Sequence, residues 1–573
     1  MAVSNSEIAA VFERIADLLE IQGDNPFRIR AYRNAARTVQ GLSRSLADMV
    51  AKDEALEELP TIGKDLAAKI REIVKTGSLR KLSQLESSVS PGMVNLLKVP
   101  GLGPKRLRKL RDYLNVHDLD TLEKAARQGR LRQVPGFGAK TEKNILRELQ
   151  DLQLRTRRFL WAEVEDLAEQ LVAYLRRQPG VKQVEMAGSY RRRRETVGDL
   201  DILVSASRGS GIMDAFIGFA AVERVISRGS TRSTVVLRTG LQVDLRVVPQ
   251  VSFGAAWHYF TGSKAHNIAV RVMGIQRGWK VNEYGIFDKE GQRIAGRTEK
   301  EIYSLMGMEW IPPELREKRG ELEAAAEGRL PRLIVEEDLR GDLHCHTTRS
   351  DGQDSLEAMA RAARDLGHDY LAITEHSQHL RVAGGLTADE LLAHCDAIDA
   401  LNERMKGIRL LKGLEVDILE DGSLDMPDQV LQRLDICLGA IHSGFSLAAD
   451  QQTERVIRAM DHPAFNVLAH PTARLMGRRA ACALDMERIM DAALERGCYL
   501  ELNAQPRRLD LNDVYCRMAK ERGLKVALST DAHSTGQLSY QRYGVAQARR
   551  GWLEKKDVLN TADLKHLLRA LRR

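Results

Sequence analysis

The stretch that decides the fold runs Gly188-Ser189-Tyr190-Arg191-Arg192-Arg193-Arg194-Glu195-Thr196-Val197-Gly198-Asp199-Leu200-Asp201-Ile202-Leu203. Its second half alternates small or acidic residues with aliphatic ones, the period of a strand with one face on a core. Asp199 and Asp201 therefore point the same way. Two carboxylates side by side repel unless a cation sits between them, which marks a divalent-metal site rather than a packing position. A third acid, Asp244, falls in an aliphatic run, Thr234 to Leu245, that turns like a hairpin at Thr239-Gly240. Three strand-borne acids beside a Gly-Ser turn and the arginines 191 to 194 make a phosphoryl-transfer site. Alone, an Asp-x-Asp is equally a solvated strand edge; the aliphatic flanks and the arginines argue against exposure here.

Outward from that stretch, 573 residues suffice for three or four domains. The hydrophobic content is 43%, ordinary for a globular chain. No apolar run approaches the roughly 18 residues of a membrane span. The start, Met1 to Glu7, lacks a basic and apolar leader, so a cytoplasmic location is expected. The six cysteines, Cys345, Cys395, Cys437, Cys482, Cys498 and Cys516, have no paired spacing and read as reduced thiols. A net charge of +8 allows a polyanionic partner. Of 14 histidines, only His117, His258 and His266 precede residue 340, which sets off a separate metal-using domain.

Before the central stretch, residues 5 to 85 carry apolar residues at helical spacing. A unit then recurs: Leu59-Pro60-Thr61-Ile62-Gly63-Lys64, Val99-Pro100-Gly101-Leu102-Gly103-Pro104-Lys105 and Val134-Pro135-Gly136-Phe137-Gly138-Ala139-Lys140. Glycines in a tight turn let main-chain N–H groups approach a phosphate at a helix start, and the lysines add charge without reading sequence. The unit resembles the helix-hairpin-helix motif of DNA-binding proteins. That resemblance places DNA contacts at Ile62, Gly63, Gly101, Gly103, Gly136 and Gly138, although Thr61 stands where the first copy should have a glycine. Three ordinary helix-helix turns are the competing reading, and the repetition weakens it.

The Gly-Ser-x-Arg-Arg motif, the Gly-Asp-x-Asp pair, the lone Asp244 and Tyr259-Phe260-Thr261-Gly262-Ser263 together resemble the family X DNA polymerases of the DNA polymerase beta type, over residues 1 to 315. The resemblance implies that Asp199, Asp201 and Asp244 bind two magnesium ions and that Arg158, Ser189 and Arg192 contact the triphosphate of an incoming deoxynucleotide. Gly198 closes the turn beside those phosphates. Tyr259, Phe260 and Gly262 then border the deoxyribose, and Asn267 and Arg271 face the nascent base pair and template. Val197, Gln242 and Lys264 depart from the hydroxyl, basic and acidic residues usual in the vertebrate enzymes. The N-terminal part is similar to the lyase domain of that family. Lys69 falls at its Schiff-base lysine and Tyr32 near the DNA end, but Phe27 and Asp65 replace a usual histidine and lysine. The alternative is that Lys69 and Arg28 simply hold a 5′-phosphate.

After a charged stretch comes Asp342-Leu343-His344-Cys345-His346, whose His-x-His puts two imidazoles on one strand face. Strand and helix patterns then alternate, and acids or histidines repeatedly end the strands, which is how a (βα) barrel builds a site. These motifs resemble the PHP (polymerase and histidinol phosphatase) domain. The implied ligands are His344, His346, Asp351, His376, Glu415, His442, His470, Asp531 and His533, holding three manganese or zinc ions. His368, His379, His394, His462 and His566 fit no motif and read as structural or surface residues.

The expected architecture is multidomain. An all-α lyase-like domain (1–90) and a helix-hairpin-helix region (91–155) precede an α+β nucleotidyltransferase palm (156–250) and thumb (251–315). A linker (316–338) leads to an α/β PHP distorted barrel (339–573). The expected function is gap-filling DNA synthesis in base excision repair, with a metal-dependent 3′–5′ exonuclease that also opens abasic sites. Partners are gapped or primer-template DNA and deoxynucleoside triphosphates, with a monomer acting at the nucleoid. Two other readings remain: a phosphomonoesterase fused to a small-molecule nucleotidyltransferase, and a non-catalytic DNA-end adaptor.

Overall fold

The computed structural model describes residues 5–42, 44–86, 96, 99, 102–206 and 210–572. Gly101 lies outside them. The chain divides into two compact units, one of Met1–Phe159, Gly198–Leu200 and Ile217–Asp244, the other of Leu160–Val197, Asp201–Phe216 and Leu245–Arg573. Among the described residues no helix is long and apolar enough to cross a membrane.

In the first unit, the helices Asn5–Gln22 and Pro26–Gln40 pack around Phe12, Ile15 and Leu19. Asn25 caps the second by accepting from the Phe27 N–H, and Pro26 occupies the first helical position, where a missing N–H costs nothing. The three repeats share one frame. The N–H groups of Ile62, Leu102 and Phe137 donate to the carbonyls of Leu59, Val99 and Val134 at 3.1, 3.0 and 3.0 Å. Each following helix begins with a bond to the carbonyl of Gly63, Gly103 or Gly138. The apolar residue between the turn positions is buried in every copy. Thr61 takes a left-handed conformation (φ 67°), as Gly136 does (φ 92°), so the first copy keeps the turn without the glycine. The unit also holds the antiparallel hairpin Val222–Arg228 and Arg232–Leu237, and a turn at Thr239-Gly240.

The second unit carries the strands Val181–Met186 and, from Asp201 on, Asp199–Ala206, paired antiparallel. It continues through helices Phe253–Thr261 and Lys264–Gln276 into a small antiparallel sheet, Lys280–Asn282, Gly285–Phe287 and Arg293–Ala295. The stretch expected as a charged linker, part helical, carries the helix Glu321–Ala326 and packs into the core. Arg316 and Glu321 are fully buried, and Leu322, Ala324 and Ala325 join a core that includes Tyr303 and Trp552. The reason is electrostatic pairing: Arg316 donates to Glu299, and His266 donates to Glu321 at 2.7 Å, so charges that read as solvated satisfy one another inside.

The rest is a sheet of seven parallel strands in chain order: Gly341–Asp342, Tyr370–His376, Arg409–Asp417, Ile436–Ala440, Val467–Leu468, Tyr499–Asn503 and Val526–Ser529. A parallel bridge between Cys345 and Ala532 nearly closes it into a barrel. Helices cover the outer face, so Tyr370–His376 is buried throughout. All six cysteines are buried thiols outside any disulfide.

Candidate functional sites

The barrel strands end at one rim, and their last residues supply the first site. Glu415 lies at its centre. Its carboxylate oxygens stand 2.8 Å from His470 Nε2, 2.9 Å from His376 Nδ1, and 3.3 Å from both His344 Nε2 and His442 Nε2. Around it, the potential ligand atoms of His346, Asp351, His376 and His533 lie within 4.8 Å of one another, as do those of His344, His346 and Asp531, and of His376, Glu415 and His442. His346 and His376 each belong to two groups. Eight of the nine expected ligands fall in these three groups, and the ninth, His470, lies against Glu415, so all nine converge at one rim.

The donor set fits metal ions. His344 Nε2 and His346 Nε2 face each other at 3.1 Å, a contact two imidazole lone pairs do not make without a proton or cation between them. Glu415 Oε2 and His376 Nδ1 lie 2.9 Å apart without hydrogen-bond geometry, and His346 Nδ1 is likewise buried without a hydrogen bond, which leaves these atoms available to a cation. Burial opposes the Glu415 charge, but the surrounding His376, His344 and His442 hold its carboxyl well below the usual range. Burial likewise opposes charge on His376, and Glu415 and Asp351 push it up to about 10. His470 (φ 27°) and Asp531 (φ 52°) are held in the left-handed region, backbone strain at a ligand that the barrel must support.

A second layer orients these ligands, and sequence reasoning missed it. His344 Nδ1 donates to Glu501 (2.7 Å), whose other oxygen accepts from the His470 main-chain N–H (2.6 Å). His442 Nδ1 donates to Asp417 (3.1 Å), and Arg508 pairs with Asp531 at 3.3 Å. Each imidazole so fixed turns Nε2 into the pocket. The signal was available, because Tyr499–Asn503 is a barrel strand like the others and Glu501 sits near its end. We expect Glu501→Gln to weaken metal binding by roughly 10- to 100-fold, the usual cost of losing such an orienting group. Elemental analysis after dialysis at graded metal concentrations checks it; unchanged content would leave Glu501 with no orienting role. Of the histidines outside the motif, His368 and His394 are buried and His379 and His566 exposed.

The second candidate site begins at Gly188. This residue has φ 61°, and a Cβ there would lie 2.2 Å from Asp201 Oδ2, so only glycine lets the turn rest on the carboxylate. The Ala187 N–H donates to the Asp201 carbonyl at 2.8 Å, tying the turn to the strand. Asp199 shares that strand face two residues away. Burial and the neighbouring Asp244 raise the Asp199 carboxyl above its ordinary value, the mark of acids crowded together. Asp244 is buried and accepts from Thr234 (2.6 Å), Arg232 (3.2 Å) and Gln242 (2.9 Å). Gln242, which departs from the family's basic residue, thus still donates to this acid. A Cβ on Gly198 would sit 3.6 Å from Arg158 Nη1.

The four arginines separate. Arg191 is half-buried, donates to both oxygens of Glu299 at 2.7 Å and lies 3.4 Å over the Trp257 ring, which makes it structural. Arg193 and Arg194 pair with Glu314 and Glu317. Arg192 reaches the Thr261 carbonyl and Glu317, and a Cβ on Gly262 would come within 3.1 Å of its Nη1, so the Tyr-Phe-Thr-Gly motif packs on it. Tyr259 and Phe260 meet edge to face, Asn267 donates to the Tyr259 carbonyl (2.6 Å), and Arg271 is exposed on the same helix as Asn267. Ser189 is half-buried on the turn itself.

In the helical unit, Tyr32 is buried against Phe12, and Lys69 Nζ lies 5.8 Å over its ring. Lys69 is ion-paired with Asp65, the residue that replaces the family's lysine. The Ile62 side chain belongs to the core, so its position offers DNA only main chain.

Comparison with known proteins fits this geometry. Residues 3–79 match a helix-hairpin-helix domain family and 93–151 a SAM-like helix-hairpin-helix tandem. Residues 158–252 match the DNA polymerase beta palm, 256–317 the DNA polymerase beta thumb, and 342–505 the PHP domain. The DNA polymerase/3′-5′ exonuclease PolX of Bacillus subtilis (strain 168) is 38% identical over 99% of both chains. The chain belongs to the PolX family. Two further relatives each match part of this PolX-family chain. A DNA polymerase lambda of Arabidopsis thaliana is 27% identical over 54% of the chain and 62% of its own length. A probable phosphatase of Thermoanaerobacter sp. (strain X514) is 26% identical over 38% of the chain and 89% of its own. Polymerase and PHP domains together make the protein metal-dependent.

Proposed function

We propose that this PolX-family protein is a DNA-directed DNA polymerase that fills short gaps during base excision repair and carries a PHP-domain 3′–5′ exonuclease that also incises abasic sites. The observation that carries the synthetic half is the Gly188 turn seated on Asp201; the meeting of nine ligands around Glu415 carries the nuclease half.

In the polymerase site, Asp199, Asp201 and Asp244 would hold two magnesium ions. When bound, such ions supply Lewis acidity at phosphorus and make the primer 3′-hydroxyl easier to deprotonate. Ser189, Arg192 and Arg158 orient the triphosphate, and Gly198 leaves room for it. Tyr259, Phe260 and Gly262 crowd C2′ of the sugar, which disfavours ribose. Asn267 and Arg271 face the base pair and template. In the PHP site, His344, His346, Asp351, His376, Glu415, His442, His470, Asp531 and His533 would hold three manganese or zinc ions, with Glu501 and Asp417 fixing imidazole orientation.

The glycines at 63, 103, 136 and 138 present main chain to the DNA backbone, so duplex affinity should be electrostatic. We expect binding to gapped duplex to fall by roughly 10²- to 10³-fold between 50 and 200 mM salt, as several phosphate contacts imply. Electrophoretic mobility shifts measure it, and salt-independent binding would contradict backbone recognition. This result also separates the polymerase from a small-molecule nucleotidyltransferase. At Lys69, the pairing with Asp65 favours a 5′-phosphate clamp over Schiff-base lyase chemistry, since a nucleophilic amine must first leave its carboxylate. Borohydride trapping on a 5′-deoxyribose phosphate end tests it, and a stable adduct at Lys69 would reverse that preference.

A further inference from the structure

One helix of the PHP domain, Gln541–Arg550, faces the nucleotide-binding turn of the palm with residues spaced four and three apart. Tyr543 packs edge to face on Trp161 (5.3 Å between ring centres) and donates to Glu165. Gln547 donates to Glu195 at 2.6 Å. Arg550, only 3% exposed, donates to the main-chain carbonyl of Arg192 (2.9 Å), to Glu317 Oε1 (3.1 Å) and to Asp513 (2.6 Å). Arg192 Nε donates to the same Glu317 oxygen at 3.1 Å, and Arg194 reaches it at 3.4 Å. A single carboxylate oxygen is therefore divided among three guanidiniums. With Arg319 on Asp513, four arginines face two carboxylates, and the cluster carries unbalanced positive charge beside the turn.

We propose that Arg550 of the PHP domain is a positioning residue for deoxynucleotide binding at the polymerase site. It pins the Arg192 main chain and holds part of the Glu317 charge away from the Arg192 guanidinium, leaving that guanidinium available to an incoming triphosphate. Without Arg550, Glu317 pairs fully with Arg192, and the turn loses its fixed carbonyl. Lysine cannot substitute fully, because one ammonium does not span three acceptors as a planar fork does. The proposal rests on the triphosphate role given to Arg192 above.

The test uses full-length protein carrying Arg550→Met, Arg550→Lys, Arg550→Met with Glu317→Gln, and Arg192→Ala. Steady-state gap filling with magnesium gives kcat and KM for the deoxynucleotide, and manganese-dependent 3′-end removal is measured on the same preparations. The expected result is a KM about tenfold higher in Arg550→Met, roughly the loss of one charge-assisted contact, with kcat and nuclease little changed. Arg550→Lys should fall between, and adding Glu317→Gln should bring KM back toward the starting value. An unchanged KM in Arg550→Met, or KM, kcat and nuclease failing together, overturns the positioning role. If Arg550→Met does not fold, the Arg550→Lys KM decides in the same way. A normal KM in Arg192→Ala instead removes the triphosphate role of Arg192, whereas a raised KM there with a normal one in Arg550→Met sinks only the positioning claim.

Discussion

Asp201→Ala should reduce nucleotide incorporation by roughly 10⁴-fold, the several kcal/mol of charge stabilisation that a divalent site supplies to phosphoryl transfer. Asp201 is the acid on which the Gly188 turn rests, and its carboxylate would lie within 2.2 Å of any side chain placed there. Removing it therefore takes away a ligand and the floor of the phosphate turn together. Gap-filling synthesis in magnesium is the measurement, with manganese-dependent 3′-end removal as the internal control. The control should be unaffected, because the residues expected to hold the PHP metals are a separate set at the barrel rim. Incorporation within tenfold of the parent would show that the assigned acids are not the catalytic set.

Glu415→Gln should do the opposite. The substitution keeps the shape and removes the charge that four close imidazoles share. Those rings then lack a counter-charge, and cations lose the carboxylate that shares a group with His376 and His442 and also lies against His344 and His470, so nuclease activity should fall by at least about 10³-fold while synthesis continues. Metal content should fall in parallel. His344→Ala, which also breaks the contact to Glu501, should give the same pattern. A manganese-dependent nuclease surviving in either variant would exclude the barrel pocket as its site.

Acid stability follows from the buried acids of the second unit. Burial alone would raise the Glu317 carboxyl, yet Arg550, Arg192 and Arg194 hold it down to about 2 from an ordinary 4.5. A folded value below the unfolded one means the stabilisation is complete above about pH 4.5 and is lost as pH falls toward 2. Glu299 shifts in the same direction through Arg316 and Arg191, and Asp513 through Arg319 and the shared Arg550. The thermal midpoint should drop through this window, and Arg550→Met should flatten the drop. A midpoint independent of pH there would mean the pairs do not stabilise the fold.

Much of this was legible along the chain because it is periodic or local. The alternation around Asp199 and Asp201 requires a strand, the three Pro-x-x-Gly turns require the same hydrogen-bond frame, and acids and histidines at strand ends require a one-sided site in a parallel barrel. These patterns depend on the backbone period alone, so a linear reading reaches them. Tertiary structure alone decided which charges were functional. Arg191 and Arg192 are adjacent and identical in sequence, yet one is half-buried on Glu299 and Trp257 and the other turns toward the Tyr-Phe-Thr-Gly motif. Residues 316–338 read as a charged, partly helical linker, and the fold adds that Arg316 and Glu321 find partners 17 and 55 positions away and are buried with them. Glu501, Asp417 and Arg550 took their roles from neighbours distant in sequence. A charged side chain has no intrinsic inside or outside; the partner that offsets its desolvation decides, and that partner is set by the fold.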